Sequence, residues 1–191
     1  MSEYRQEFMD ICEECIKRNG ISELVTWLSE ADFFTAPAST KYHGSHEGGL
    51  IKHSLKVYNV LREAVTKHGF SDIYNDETVA IVSLFHDICK VNLYVKGFRN
   101  VKENGQWIQK EVYETDERFP CGDHADKSII ILQNFIKLKP EEILAIRAHM
   151  GGWDNAAKGG SYFINRIFER SKLAVLLHLA DMEATYIHEV N

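Results

Sequence analysis

Cysteine and proline are both scarce, with four and three residues in a chain of 191. So few cysteines at irregular spacing do not suit the disulfide framework of small secreted domains. Cys12 and Cys15 have the spacing of half a zinc site, but no second half follows them. Both lie on the apolar face of a predicted helix, so we interpret them as core residues. We therefore expect a reducing, cytoplasmic location.

The sequence also has no long apolar run, and we expect no targeting segment. Its longest apolar stretch, residues 78–85, is far shorter than the roughly 18 residues that a membrane-spanning helix needs. The N-terminal residues are charged and amphipathic, which does not fit a secretory signal peptide. No linker-like, repeated or low-complexity stretch divides the chain. We expect no membrane partner and a single domain over residues 1–191.

Basic residues are outnumbered by acidic ones, 22 to 28, and the net charge is −6. Non-specific binding of polynucleotides depends on cations that neutralise many phosphates, so this composition disfavours it. Short single strands remain possible partners, and a local pocket can still bind a small anionic substrate. The first amphipathic helix could either cover the core or pair with another subunit, so a homo-oligomer also stays open.

Helical periodicity runs through most of the chain and predicts an all-α fold. One exception is a β-hairpin over about residues 93–114, where Asn104-Gly105 is a strong signal for a two-residue turn. We expect this hairpin to form a flap on the surface. Ser22, Asp123 and Ser171 are placed to cap helices, since their side-chain oxygens can accept from free backbone N–H groups.

Several ionisable residues fall on apolar helix faces or at the ends of apolar helices. Burying each without a partner would cost roughly 1–3 kcal/mol, and an unpaired carboxylate costs more. A shared divalent cation would satisfy the whole set, because imidazole and carboxylate suit such ions. A single buried histidine is more often structural, so the combination carries the prediction. The residues are His53, His86, Asp87, His124, His149 and Asp181.

The order His53…His86-Asp87…Asp181 resembles the H…HD…D signature of the HD-domain superfamily of metal-dependent phosphohydrolases. The sequence around these residues is similar as well, over 48–54, 84–90 and 177–181. The chain looks especially like small HD hydrolases of bacteria and phages, and like the HD portion of YhaM-type 3′–5′ exoribonucleases. One departure is Cys89, which stands where many members have glycine in His-Asp-Ile-Gly-Lys. The resemblance implies a helical bundle.

The resemblance also implies a set of metal ligands, with one or two divalent ions drawn from Mn, Fe, Co, Ni, Zn or Mg. The first site would consist of His53, His86, Asp87 and Asp181. His124 and His149 would hold a second ion, with Asp87 bridging the two. Asp87 and Lys90 are the expected catalytic residues, and Lys90 would also bind phosphate.

Other residues are expected at the substrate pocket from their positions in the chain. Lys127 lies three residues after His124, so its ammonium group could reach the same pocket, although a solvated surface charge is equally plausible. Tyr42 and Glu47 precede the first ligand, where they could stack on a base and bind metal-coordinated water. Trp153 and Tyr162 belong to a glycine-rich loop that could cover a nucleobase or make no ligand contact.

Three further histidines are expected to have other roles. We favour a loop or supporting position, rather than direct ligation, for His43 and His46. We interpret His178 as structural, because the signature makes Asp181 the ligand of that segment.

We therefore expect hydrolysis of a phosphoester or phosphoanhydride bond, most simply in a nucleotide, by metal-activated water. Three alternatives stay open. They are a 3′–5′ exonuclease acting on short oligonucleotides, an HD-type di-iron oxygenase, and a nucleotide sensor without catalysis.

Overall fold

In a computed structural model, residues 3–189 of the chain are described, and over this range the chain is helical apart from one hairpin. The α-helices are α1 (Glu3–Cys15), α2 (Ile21–Glu30), α3 (Gly49–Lys67), α4 (Asp76–Phe85), α5 (His124–Gln133), α6 (Pro140–Ala148), α7 (Asn155–Lys158), α8 (Phe163–Arg170) and α9 (Lys172–Glu183). Short 3₁₀ turns span Ile88–Lys90 and Gly151–Trp153, and a π-helical turn spans Ala184–His188. The predicted all-α class is confirmed. Within residues 3–189, none of the helices is long and apolar enough to cross a membrane.

Helix α4 lies at the centre of the molecule. Its residues 78–85 are all buried, as expected for a helix that is apolar on nearly every side. The longest helix, α3, packs against both α4 and α9, and α9 packs in turn against α6. Phe8 of α1 meets Phe33 and Phe85 with ring centroids 5.0 and 5.9 Å apart. Helix α1 therefore covers the core, and Cys12 is buried there as predicted.

Helix ends follow local chemistry at two of the three predicted caps. The Asp123 side chain accepts from the backbone N–H of His124, which begins α5, and the Ser171 hydroxyl accepts from the backbone N–H of Ala174 in α9. The prediction for Ser22 is wrong, because α2 begins before it, after Gly20 at φ 90°. A Cβ at Gly20 would lie 1.9 Å from the Phe135 carbonyl oxygen, so tertiary packing requires glycine there.

The hairpin consists of β1 (Tyr94–Glu103) and β2 (Gln106–Thr115), within one residue of the predicted range. Asn104 and Gly105 both have positive φ, 50° and 83°, as a two-residue turn of type I′ requires. Most of the hairpin is exposed, which confirms the surface location. Its first cross-strand pair, Tyr94 and Thr115, lines a cavity that also reaches His124 and His149. The base of the hairpin therefore borders the site described next.

Candidate metal centre

The structure brings all six sequence-predicted ligand residues into one cluster. They come from α3, from the ends of α4 and α6, from the start of α5 and from α9. The ring centroids of neighbouring histidines lie 5.0–5.5 Å apart. The members are His53, His86, Asp87, His124, His149 and Asp181.

His86 and His149 are oriented in the same way by the helices that they end. Nδ1 of His86 lies 2.8 Å from the Ser83 carbonyl oxygen, and Nδ1 of His149 lies 2.6 Å from that of Ile146. A carbonyl oxygen only accepts, so each ring carries its proton on Nδ1. The lone pair is then on Nε2, which in both rings is buried without a hydrogen-bond partner among residues 3–189. Metal-ligating histidines are commonly oriented by such a bond to the other nitrogen.

His53 has the same arrangement, with a carboxylate in place of the carbonyl. Its Nδ1 lies 3.1 Å from Glu189 Oε1, and its buried Nε2 forms no hydrogen bond although Asp181 Oδ1 is 3.2 Å away. Burial opposes the charged form, but the Asp181 and Glu189 carboxylates raise the pKa of His53 to about 9, so its Nε2 carries a proton that a bound cation would replace. Glu189 was not among the predicted site residues.

The two carboxylate oxygens of Asp87 face different pairs of imidazoles. Oδ2 lies 3.7 Å from His53 Nε2 and 3.5 Å from His86 Nε2. Oδ1 lies 2.5 Å from His124 Nε2 and 3.5 Å from His149 Nε2. The cluster therefore has two halves, one with His53 and His86 and the other with His124 and His149. Asp87 directs one carboxylate oxygen toward each half.

Positive charge already gathers around Asp87. The Lys90 ammonium group lies 2.5 Å from Oδ2, and both residues are buried. Burial disfavours both charged forms, yet their attraction raises the pKa of Lys90 and, with the imidazoles, holds the pKa of Asp87 well below its ordinary value. For His124, Cys89 and Asp87 outweigh burial and raise its pKa to about 10. The charged forms of Lys90 and His124 are therefore stabilised by the buried Asp87 carboxylate.

These residues fit a divalent cation. Buried polar atoms in folded proteins nearly always have partners, yet in the described part of the chain several ring nitrogens converge without one. Ligand atoms of His53, His86 and Asp181 lie within 4.8 Å of one another, as do those of His86, Asp87 and His149. Imidazole and carboxylate donors of this kind suit Mn, Fe, Co, Ni or Zn.

The family model of the HD domain matches residues 50–185. The chain belongs to the HD domain family. No curated protein and no solved structure gave a match. The matched range contains all six clustered residues, whereas Glu189 lies beyond its end. Membership supports a metal-dependent hydrolase in general terms, and the resemblance to YhaM-type enzymes remains a prediction.

A cavity of about 320 Å³ is lined by four of the six clustered residues, namely Asp87, His124, His149 and Asp181. Three predicted substrate contacts line it, namely Lys90, Tyr42 and Trp153. Tyr94 and Tyr186 line it as well, so that aromatic rings surround a polar base.

Three other predicted contacts do not line this cavity. Lys127 forms an ion pair with Glu117 instead, because the chain before α5 brings that carboxylate to it. Glu47 is exposed and lies outside the cavity. Tyr162 immediately precedes α8 and is 73% exposed. These three side chains lie outside the lining of this cavity, since sequence spacing alone does not determine where a side chain lies, and their contacts with a substrate stay predictions.

His178 and His43 also line the cavity. Nδ1 of His178 donates to the His149 carbonyl oxygen at 2.6 Å, so its ring supports the segment that carries a ligand. A Cβ at Gly151 would lie 2.4 Å from this ring, which explains the glycine after α6. His178 precedes Asp181 by three residues, a spacing that places both on one helix face and could have shown its position. His43 lies beside His53, with ring centroids 4.8 Å apart.

Proposed function

We propose that this HD domain hydrolyses a phosphoester or phosphoanhydride bond in a nucleotide. The observation that carries the proposal is the convergence of unpartnered Nε2 atoms from His53, His86 and His149 on Asp87, at the base of an open cavity. Divalent cations bound here would act as Lewis acids. They would lower the pKa of water, so that hydroxide is available to attack phosphorus near neutral pH. The donor residues would hold these cations, with Asp87 shared between the two halves.

Lys90 is suited to binding the phosphate. Among the described residues that line the cavity, it is the sole lysine or arginine. Its ammonium group now contacts Asp87 Oδ2. Once the Asp87 charge is engaged by a cation, Lys90 can donate hydrogen bonds to a phosphoryl oxygen of the substrate instead. A lysine in this position neutralises charge that develops on the phosphoryl group.

The rim of the cavity favours a substrate that has an aromatic base. Tyr42 and Trp153 are 78% and 47% exposed there, and stacking of a base on such rings contributes about 1–3 kcal/mol. The cavity volume lies at the lower end of the range for small-molecule sites, about 300–1,000 Å³. Together with the net charge of −6, this size favours a mononucleotide over a polymer.

The test is chromatographic detection of products after incubation with Mn²⁺ or Co²⁺ and a panel of ribo- and deoxynucleotide mono-, di- and triphosphates. Asp87→Ala is the inactive control, and Asp72→Ala, which changes an exposed carboxylate, is the matched active one. We expect the wild type and Asp72→Ala to convert at least one of these nucleotides to a product with fewer phosphates, and only when metal is present. Asp87→Ala should give no product.

Three results would contradict the proposal, and each favours a different alternative. Degradation of labelled oligonucleotides without hydrolysis of mononucleotides would favour an exonuclease. Turnover that requires oxygen and bound iron would favour a di-iron oxygenase. Tight nucleotide binding without turnover, whichever of these metals is added, would favour a sensor.

A further inference from the structure

His178 of α9 is held in one orientation by its neighbours. Its Nδ1 donates to the His149 carbonyl oxygen at 2.6 Å, and its ring stacks on Phe168 with centroids 5.5 Å apart. Gly151 packs so closely against the ring that a Cβ there would lie 2.4 Å from His178 Cε1. These contacts account for a supporting role, but the ring also lines the cavity beside the metal cluster.

The second ring nitrogen of His178 is available to a ligand. A carbonyl oxygen only accepts, so Nδ1 carries the proton, and in the neutral ring Nε2 carries the lone pair. Within residues 3–189 this Nε2 forms no hydrogen bond, and it is not enclosed as the Nε2 atoms of His86 and His149 are. It is therefore an acceptor that a bound molecule with an O–H or N–H group can use.

His178 adjoins both the metal cluster and the exposed ring of Trp153. It precedes the clustered Asp181 by three residues of α9, which is about 4.5 Å along the helix axis. Its ring centroid lies 6.3 Å from that of Trp153, which lines the same cavity. In a nucleotide, the sugar connects the phosphate to the base. With the phosphate at the cluster and the base on Trp153, the sugar lies beside His178.

We propose that His178 Nε2 accepts a hydrogen bond from a ribose hydroxyl of the substrate, at the 2′ or 3′ position, and so selects ribonucleotides over their deoxy analogues. The inference rests on the proposed nucleotide hydrolysis, and it assigns the group that recognises the sugar. An analogue without this hydroxyl leaves the acceptor without a partner once the bound nucleotide has displaced water. The bond from Nδ1 to His149 fixes the tautomer that makes Nε2 an acceptor.

The test compares kcat/KM of the Mn²⁺-loaded enzyme for adenosine, guanosine, cytidine and uridine phosphates with the values for their 2′-deoxy and 3′-deoxy analogues. We expect the wild type to prefer a ribonucleotide over at least one of its analogues by about tenfold. His178→Asn keeps an N–H near the position of Nδ1 but has no group at Nε2, so the preference should disappear.

Two further variants separate sugar recognition from support of the fold. His178→Gln places its amide near the position of Nε2, so the preference should remain although the bond to the His149 carbonyl is lost. His68→Asn is the matched control, because His68 is exposed at the end of α3 and should leave the preference unchanged.

Two results would overturn the proposal. One is a wild type that hydrolyses both deoxy analogues as efficiently as the ribonucleotide. The other is a preference that persists unchanged in His178→Asn, since a purely structural residue would alter the rates for all substrates alike. If nucleotides bind without hydrolysis, the ratio of their dissociation constants, measured by calorimetry, tests His178 in the same way. The proposed hydrolysis would then fail while this inference stands, whereas absence of any nucleotide binding would remove both.

Discussion

Helix α4 has a buried polar cluster at each end, and the two differ in whether their hydrogen bonds are complete. Near its start, Glu142 is fully buried and accepts two bonds from Arg18, at 2.6 and 3.0 Å. It also accepts from the Thr78 hydroxyl at 3.0 Å and from the Lys139 backbone N–H at 2.7 Å. At the far end, within residues 3–189, the buried Nε2 atoms of His53, His86 and His149 have no hydrogen-bond partner, and neither does that of His43 beside them.

The difference shows which cluster depends on something outside the chain. The Glu142 cluster supplies its own partners, so it can serve the fold alone. Each unpartnered buried group at the other end costs roughly 1–3 kcal/mol, and Asp87 brings a buried charge to the same place. Folding by itself would favour apolar residues there. A bound cation offsets this cost, which is why we infer a ligand site at that end.

The largest effect is expected from Asp87→Asn at the far end of α4. The substitution keeps the size of the side chain and an oxygen that can accept from Lys90, but it removes the negative charge that the two halves of the cluster share. We expect cation binding to be lost and hydrolysis to fall by at least about 1,000-fold, since cations contribute several kcal/mol to such reactions. A cation at 100 times its Kd should stabilise the wild type by about 2.7 kcal/mol and leave the variant unchanged. Thermal melting with and without Mn²⁺ measures this. Equal shifts in both proteins would contradict the assignment of Asp87.

Arg18→Met tests the opposite end. It removes the main counter-ion of the fully buried Glu142, so the free energy of unfolding should fall by about 3–5 kcal/mol. Urea unfolding measures the loss, and Arg99→Met, on the exposed hairpin, is the matched control. Mn²⁺ should still raise the free energy of unfolding of Arg18→Met, as it does for the wild type. Asp87→Asn should show no such increase. A variant that unfolds normally but loses its response to Mn²⁺ would show that the two clusters are not separate.

A smaller effect is expected at Glu189, which orients a ligand without touching the cation. Glu189→Gln should weaken cation binding by about 10–100-fold, because an amide holds the Nδ1 proton of His53 less firmly than a carboxylate does. Equilibrium dialysis measures the change. Glu183→Gln is the control, since that side chain is exposed and contacts His188 instead. Equal affinities in the two variants would leave Glu189 without a positioning role.

Sequence alone predicted much of the fold, because helical periodicity, the Asn104-Gly105 turn and the Asp123 cap are all local signals. It also indicated the six clustered residues, since polar groups on apolar stripes are visible in one dimension. Glu189 could not be found in this way, as it meets His53 across 136 positions. Lys127 does not line the cavity for a related reason. Its helical spacing was correct, but the nearby chain supplies Glu117 as a partner.

The smallest expected effect concerns pH at the Glu142 end. Burial is the largest single influence on Glu77 and disfavours its charged form, but Arg18 at 2.8 Å and the Lys17 backbone N–H at 3.0 Å together outweigh it and lower the pKa of Glu77. A lowered folded-state pKa gives stability that is fully present above the unfolded value of about 4.3, and this is lost as pH falls through the folded pKa. The difference in unfolding free energy between wild type and Glu77→Gln should therefore shrink from about 1 kcal/mol at neutral pH toward zero in acid.

Urea titrations across that pH range, with the exposed Glu63→Gln as control, measure the Glu77 difference. Saturating Mn²⁺ should leave it unchanged, because the metal cluster lies at the far end of α4. A Glu77 difference that stayed constant with pH would mean that its ion pair with Arg18 contributes nothing through charge. The cluster would then depend on Glu142 alone.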